Sequence, residues 1–256
     1  MCLGRVVSVV AVLVLTGAGT LAGVAGSVAA LASVVSYPAL LALGLPPVSA
    51  NVTNTVALVF TGAGAAAGSR PELAGQARLV GRLGALTVLG GAAGAALLLL
   101  TPASGFEAVA PWLIGAASLL LIVQQRIGSL TARPGSERSW SLRAMLTGAA
   151  VYIGYFGAAG GIVVLAVLTA MMDQPMARIN AVKNVVNGLA NAAAAVGFAL
   201  FGPVRWAAVA PLAAGFLVGG WIGSALVRRL PGPALRVVIG TGGLILAVRL
   251  GIAAYR

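Results

Sequence analysis

The chain has 256 residues, of which 60% are hydrophobic and only 8% charged, and its mean hydropathy is +1.06. An ordinary soluble globule carries about a quarter charged residues, so that class is excluded. With no histidine, one cysteine and four acidic residues, the chain also lacks the groups for a disulfide framework, a Cys/His metal site or a histidine-based triad, and neither a metal nor a cofactor is expected.

Apolar runs long enough to cross a bilayer recur along the chain, at Val6–Ala32, Leu83–Thr101, Val109–Val123, Ile179–Phe201, Trp206–Val227 and Val237–Ala253. The expected class is therefore an all-α polytopic membrane protein, with the lipid bilayer as its first partner. Arg5 followed by an apolar stretch could open a secretory signal, but the stretch outruns a signal core. The net charge of +12 does not point to nucleic acid, because the arginines sit between apolar runs and form no basic stripe. They read as topology signals.

The first segment, Val6–Leu43, is too long for one straight crossing and is expected to break near Ser33–Pro38. A Pro-containing break follows at Gly44-Leu45-Pro46-Pro47, then the polar helix start Ala50-Asn51-Val52-Thr53-Asn54. The longest polar stretch, Gln124–Arg143, contains Pro134-Gly135 and reads as an exposed linker. Behind it the same design returns. Leu142–Met172 is again too long and breaks near Gly157–Gly161, and Asp173-Gln174-Pro175-Met176 precedes Asn180-Ala181-Val182-Lys183-Asn184. An offset of 130 residues aligns Asn54 with Asn184. The chain thus divides into two homologous halves, 1–128 and 141–256, joined by a polar cytoplasmic linker at 129–140, as in many secondary transporters.

Each half is expected to hold one broken, re-entrant helix pair plus about three crossing helices. If each broken segment enters and returns, the loops carrying Arg70, Arg78, Arg82, Arg126, Arg133, Arg138, Arg143, Arg178, Arg228, Arg229 and Arg236 share one face, with Arg5, Arg205 and Arg256 opposite. The richer face is then cytoplasmic and the halves are inverted repeats with both termini outside. If each broken segment crosses once, the asymmetry weakens.

Polar groups interrupt hydrocarbon at a few places, and these are the candidate site. Lys183 is the only lysine and lies in the opening turns of an apolar helix, where a charge at bilayer depth costs at least ~2.5 kcal/mol. Asn180, Asn184, Asn187 and Asn191 follow at spacings of four, three and four, which puts the amides on one face with Lys183 at its edge. Asn51, Asn54 and Thr55 repeat the design more weakly in the first half, and the two stripes should meet near the symmetry axis. The competing reading of Asn187 and Asn191 is interhelical hydrogen bonding, and that of Lys183 is snorkelling or pairing with Asp173. In Gly154–Gly161, a helix starting at Gly160 or Gly161 would aim free N–H groups and its positive dipole end into the protein, an anion site. Gly215, Gly219 and Gly223, like Gly90 and Gly94, read as packing glycines.

Gly157-Ala-Ala-Gly-Gly-Ile-Val-Val-Leu, leading to Ala177-Arg-Ile-Asn-Ala-Val-Lys-Asn-Val-Val-Asn, together with Gly44-Leu-Pro-Pro-Val-Ser-Ala-Asn-Val-Thr-Asn, closely resembles the TauE/SafE family of sulfite and organosulfonate exporters. The resemblance covers both halves in order. It implies a permease of the bacterial inner membrane that exports a small anionic sulfur compound, such as sulfite, sulfoacetate or a related sulfonate. The first half departs from the family, which commonly has a Gly-rich turn where this chain has Gly26-Ser-Val-Ala-Ala-Leu-Ala-Ser.

A buried cation, amide donors and a helix N-terminus together suit an oxyanion. The expected substrate contacts are Lys183 as counter-charge, Asn184, Asn187, Asn180, Asn54, Asn51 and Thr55 as polar groups, and the Gly157, Gly160 and Gly161 backbone. No acidic residue falls mid-helix, so a carboxylate proton relay is not expected. Outward movement of a monoanion down an inside-negative potential is favourable by ~2.3 kcal/mol per 100 mV, which can drive alternating-access export without a coupling ion. An enzyme is not expected, since no nucleophile sits with a base. An anion channel, or a carrier of another small anion such as a carboxylate, fits the residues alone about as well. The packing glycines leave room for a homodimer.

Overall fold

In the computed structural model, the described residues are 9–110, 112–113, 139–157 and 160–227, and their regular structure is entirely helical. Nine helices are traced: α1 Val9–Ala29, α2 Ala32–Ala42, α3 Pro47–Gly68, α4 Arg70–Leu73, α5 Ala77–Leu100, α6 Trp140–Tyr155, α7 Gly160–Met171, α8 Met176–Phe201 and α9 Trp206–Val227. Residues 103–110 form a further helical segment. Among the described residues four helices, α1, α5, α8 and α9, are long and apolar enough to cross a membrane. At 22 residues α3 matches their length but carries buried Asn51, Thr53, Asn54 and Thr55. The apolar runs at 109–123 and 237–253, most of the linker, and Arg5, Arg126, Arg133, Arg138, Arg228, Arg229, Arg236 and Arg256 lie largely or wholly outside the described residues.

Both long first segments are broken, as their length requires. The second breaks after Tyr155, at Gly157 with φ +72°, within the expected stretch. The first breaks at Ala30, not at Ser33–Pro38: Ala30 takes φ +63° and closes α1 with an N–H bond to the Gly26 carbonyl. Pro38 lies inside α2 as its seventh residue, where it withholds one i→i−4 donor without ending the helix. A left-handed residue is a common helix terminator, and glycine usually supplies it. Here an alanine does, in the stretch that lacks the glycine-rich turn.

Helices far apart in sequence pack together. α1 lies along α9, α9 along α3, α5 along both α6 and α8, and α3 crosses α8. Glycines set the separations. A Cβ on Gly23 would meet the Gly220 nitrogen at 2.9 Å, one on Gly90 the Thr147 carbonyl at 2.7 Å, and one on Gly62 the Cα of Gly188 at 2.7 Å. Small residues permit such backbone approach in membranes, where van der Waals contact replaces hydrophobic drive.

The contact order gives helix directions. Thr16, Thr20 and Val24 of α1 meet Gly215, Gly219 and Gly223 in rising order, and Gly64 and Gly68 of α3 meet Leu217 and Trp221 likewise. Gly90 and Gly94 of α5 meet Thr147 and Val151 of α6 in the same sense. Near the start of α3, Thr53 Oγ1 accepts from Arg205 N, just beyond the end of α8. Hence α1, α3 and α9 run one way while α5, α6 and α8 run the other. Arg70, Arg78, Arg82, Arg143 and Arg178 gather at one end, where Gln76 Nε2 donates to Gln174 Oε1 at 2.7 Å, and Arg205 lies at the other end.

Candidate functional site

The two helix breaks touch. Ser33 Oγ, in the first turn of α2, donates to the Gly157 carbonyl at 3.2 Å, and an aromatic cluster of Tyr37, Phe106, Tyr155 and Phe156 packs around the end of α6. A helix that ends inside hydrocarbon leaves carbonyls without intrahelical partners, so each break needs donors from elsewhere. The asparagines of α3 and α8 supply them. Asn180 Nδ2 donates to the Ser27 carbonyl of α1 at 2.9 Å, and Asn184 Nδ2 reaches the same oxygen at 3.4 Å. Asn51 Nδ2 donates to the Tyr155 carbonyl of α6 at 2.9 Å.

Lys183 is fully buried, 0% exposed. Its Nζ donates to the Gly26 carbonyl at 3.2 Å and to the Ser27 carbonyl at 3.3 Å. The ammonium therefore sits on the negative end of the α1 dipole, which offsets the cost of burying it.

Between the breaks and the α3–α8 crossing lies a cavity of about 50 Å³. Gly157 and Gly161, Asn184, Asn187 and Asn191, and Thr61 line it, with Gly26, Ala30, Leu58 and Ile153 completing the wall. No charged side chain lines it among the described residues. Gly161 belongs to the first turn of α7, whose N–H groups have no intrahelical partners, and a Cβ there would stand 2.5 Å from Asn187 Nδ2 and 2.7 Å from Ala30 Cβ. Glycine at this position is what leaves the space open.

Of the residues expected to contact substrate, Asn184, Asn187, Gly157 and Gly161 come together on the cavity. Asn51, Asn180 and Lys183 stand beside it as helix-end donors. Asn54 is used between α2 and α3, donating to Ser33 Oγ at 3.0 Å and accepting from Ser36 Oγ at 2.6 Å. Thr55 donates back to the Asn51 carbonyl, and Gly160 packs against Ile153 and Tyr152. The sequence reading missed Thr61. It lies seven residues beyond Asn54, on the same helix face, and the 130-residue offset pairs it with Asn191.

The family model for the sulfite exporter TauE/SafE matches residues 12–250, nearly the whole chain. The chain belongs to the TauE/SafE family. Comparison with curated proteins and with solved structures gives no match. Members of this family are membrane transporters of the sulfite exporter class, which agrees with the apolar helices and with an interior built from amides and helix ends. In this TauE/SafE chain the polar cavity lies between α3 and α8, beside the two helix breaks.

Proposed function

We propose that the protein exports a small sulfur oxyanion, sulfite or a related sulfonate, across the bacterial inner membrane by alternating access. The observation that carries this reading is the cavity at which the start of α7 at Gly161 converges with the amides of Asn184 and Asn187, beside the buried charge of Lys183. Exposed first-turn N–H groups and the positive end of a helix dipole favour an anion. Asn187 supplies a directed side-chain donor, and Lys183 adds positive potential from its place on the α1 carbonyls. Gly157 and Gly160 shape the break that aims α7 at the anion.

The corresponding helices of the two halves, α1 and α6, α3 and α8, point in opposite directions, which supports inverted repeats rocking about the α3–α8 crossing. The arginine-rich end then faces the cytoplasm. Export of a monoanion follows the membrane potential, with no carboxylate relay required.

The test is efflux of radiolabelled sulfite and sulfoacetate from proteoliposomes under a valinomycin-set potential. Saturable, potential-dependent flux that Asn187→Leu abolishes is expected. Absence of flux for both anions at every potential overturns the sulfur reading, and flux proportional to concentration without saturation replaces the carrier with a channel.

A further inference from the structure

The 130-residue offset places Thr61 and Asn191 as counterparts, and the structure brings both to the same cavity. Thr61 is 9% exposed and Asn191 8%. Thr61 Oγ1 and Asn191 Oδ1 are buried and make no hydrogen bond, and Asn187 Oδ1 beside them makes none either. Thr61 lacks the backbone bond that four other helical threonines make. Thr20, Thr55, Thr147 and Thr169 each return the hydroxyl to the carbonyl four residues back, which is the usual solution in an apolar setting. A buried polar group left unpaired costs about 1–3 kcal/mol, so three on side chains that line one small cavity mark a place where turning toward a polar guest relieves that cost.

The guest's chemistry follows from the donors and acceptors on offer. Whichever way the two amides are turned, they and a hydroxyl present acceptors as well as donors. A fully deprotonated oxyanion carries acceptors only and would set its lone pairs against the amide oxygens. The start of α7 and Lys183 nonetheless require a negative charge. One species meets both demands: a singly charged oxyanion that keeps one O–H. By the measure in which one water occupies about 10–15 Å³, the cavity holds roughly four waters, the size of a small inorganic ion.

Building on the export reading above, we propose that, of the sulfur oxyanions it admits, the transported one is the singly protonated inorganic ion, hydrogensulfite, in preference to a sulfonate, and that Thr61 and Asn191 are the residues that read its proton. The proton travels with the anion, so each transport event moves one negative charge and no bond is made or broken. The ionisable groups on the surrounding elements are Lys183 on α8, Tyr37 on α2, and Tyr152 and Tyr155 on α6. Arg143, Arg178, Arg70 and Glu72 sit at helix ends, and none of these groups lines the cavity. The chain has no histidine.

The experiment measures initial rates of radiolabelled sulfite uptake into proteoliposomes of the full chain, at fixed potential and fixed total sulfite, from neutral to alkaline pH, above the rate of protein-free liposomes. Methanesulfinate is the competitor, because it has the same charge and a methyl group in place of the hydroxyl. The expected result is a rate that falls in proportion to the protonated fraction, with methanesulfinate at least ~10-fold the weaker ligand. Thr61→Val and Asn191→Leu should narrow that preference, and Thr61→Ser should keep it. A rate indifferent to pH, or methanesulfinate inhibiting as well as sulfite itself, overturns the proposal while sulfite transport stands. Absence of sulfite flux at every pH overturns the export reading, and the proposal falls with it. The wild-type arms need no variant to fold.

Discussion

Asn51 Nδ2 meets the Tyr155 carbonyl at 2.9 Å, and Asn180 Nδ2 meets the Ser27 carbonyl at the same distance. Thus α3 closes the end of α6, and α8 closes the end of α1. The bonds join residues more than a hundred positions apart, and they fix the ends of α1 and α6 without using water, which the hydrocarbon interior does not provide.

The two caps are not equal, and their difference is measurable. The Ser27 carbonyl has donors in Asn180, Lys183 and Asn184, whereas Asn51 is the side-chain donor seen on Tyr155 O. Asn51→Leu should therefore cost about 1–3 kcal/mol, the penalty for an orphaned buried carbonyl, and Asn180→Leu less, nearer the ~0.6 kcal/mol typical of one membrane hydrogen bond. Reversible unfolding in mixed detergent micelles reads both. Equal losses would contradict the shared cap.

Lys183 is the next case. Lys183→Met leaves the carbonyls of Gly26 and Ser27 without their charged donor and removes the positive potential beside the cavity. Lys183→Gln keeps a donor of shorter reach and loses only the charge. The expected pattern is a fall in thermal stability for the Met variant, a smaller one for Gln, and weaker anion binding for both, since the positive potential beside the cavity is lost. Melting curves with and without sulfite separate the two effects. Full binding in the Gln variant would reduce Lys183 to a structural cap.

How much of this was legible in the chain depends on the range of the interaction concerned. Broken segments, the Pro-containing turns and the amide stripes are local patterns, and Trp206–Val227 coincides with α9 to the residue. The fate of Lys183 was not legible, because its partners are backbone carbonyls that only tertiary packing brings near. Asn54 looked like a site residue from its spacing, but α2 folds back and consumes both ends of its amide. Thr61 was within reach, since the offset that paired Asn54 with Asn184 also pairs it with Asn191. A lone threonine in a Gly/Ala-rich run simply gave no sign that its hydroxyl would turn away from its own helix.

The break at Ala30 shows the same limit and yields a third prediction. Nothing local requires an alanine to take φ +63°, a conformation costing an L-residue roughly 1–2 kcal/mol. Ser33–Pro38 looked the better breaking point because it holds a proline. Ala30→Gly should stabilise the fold by up to about 1 kcal/mol, the relief being partly offset by the greater entropy of glycine in the unfolded chain. The melting temperature of the variant in detergent should rise, and a fall would show that the strain is not there.

Glycines divide into two groups with opposite expectations. At Gly62, Gly90 and Gly23 a Cβ would strike backbone of the facing helix at 2.7 Å, 2.7 Å, when the nearest backbone atom is taken, and 2.9 Å respectively. At Gly17, Gly81 and Gly148 nothing lies within 4 Å. Alanine at the first three should cost about 1–3 kcal/mol as overpacking, and at the last three should stabilise its helix by up to ~1 kcal/mol. Six single variants compared by thermal unfolding decide it, and a uniform response would mean that these contacts do not set the helix separations.

Gly161 should separate function from folding. Its Cβ would fall against the amide of Asn187 and the methyl of Ala30, both at the cavity, and the terminal amide can move where backbone cannot. Gly161→Ala should therefore leave the protein folded, with a loss of no more than about 1–3 kcal/mol, while filling the space in front of the α7 N-terminus. Sulfite efflux should drop by at least ~10-fold, since a displaced amide and a blocked helix end together remove more than one hydrogen bond to the anion. The decisive comparison is flux per correctly folded molecule, with protein recovered from a size-exclusion peak before reconstitution. Undiminished flux in Gly161→Ala would place the anion elsewhere along the α3–α8 crossing.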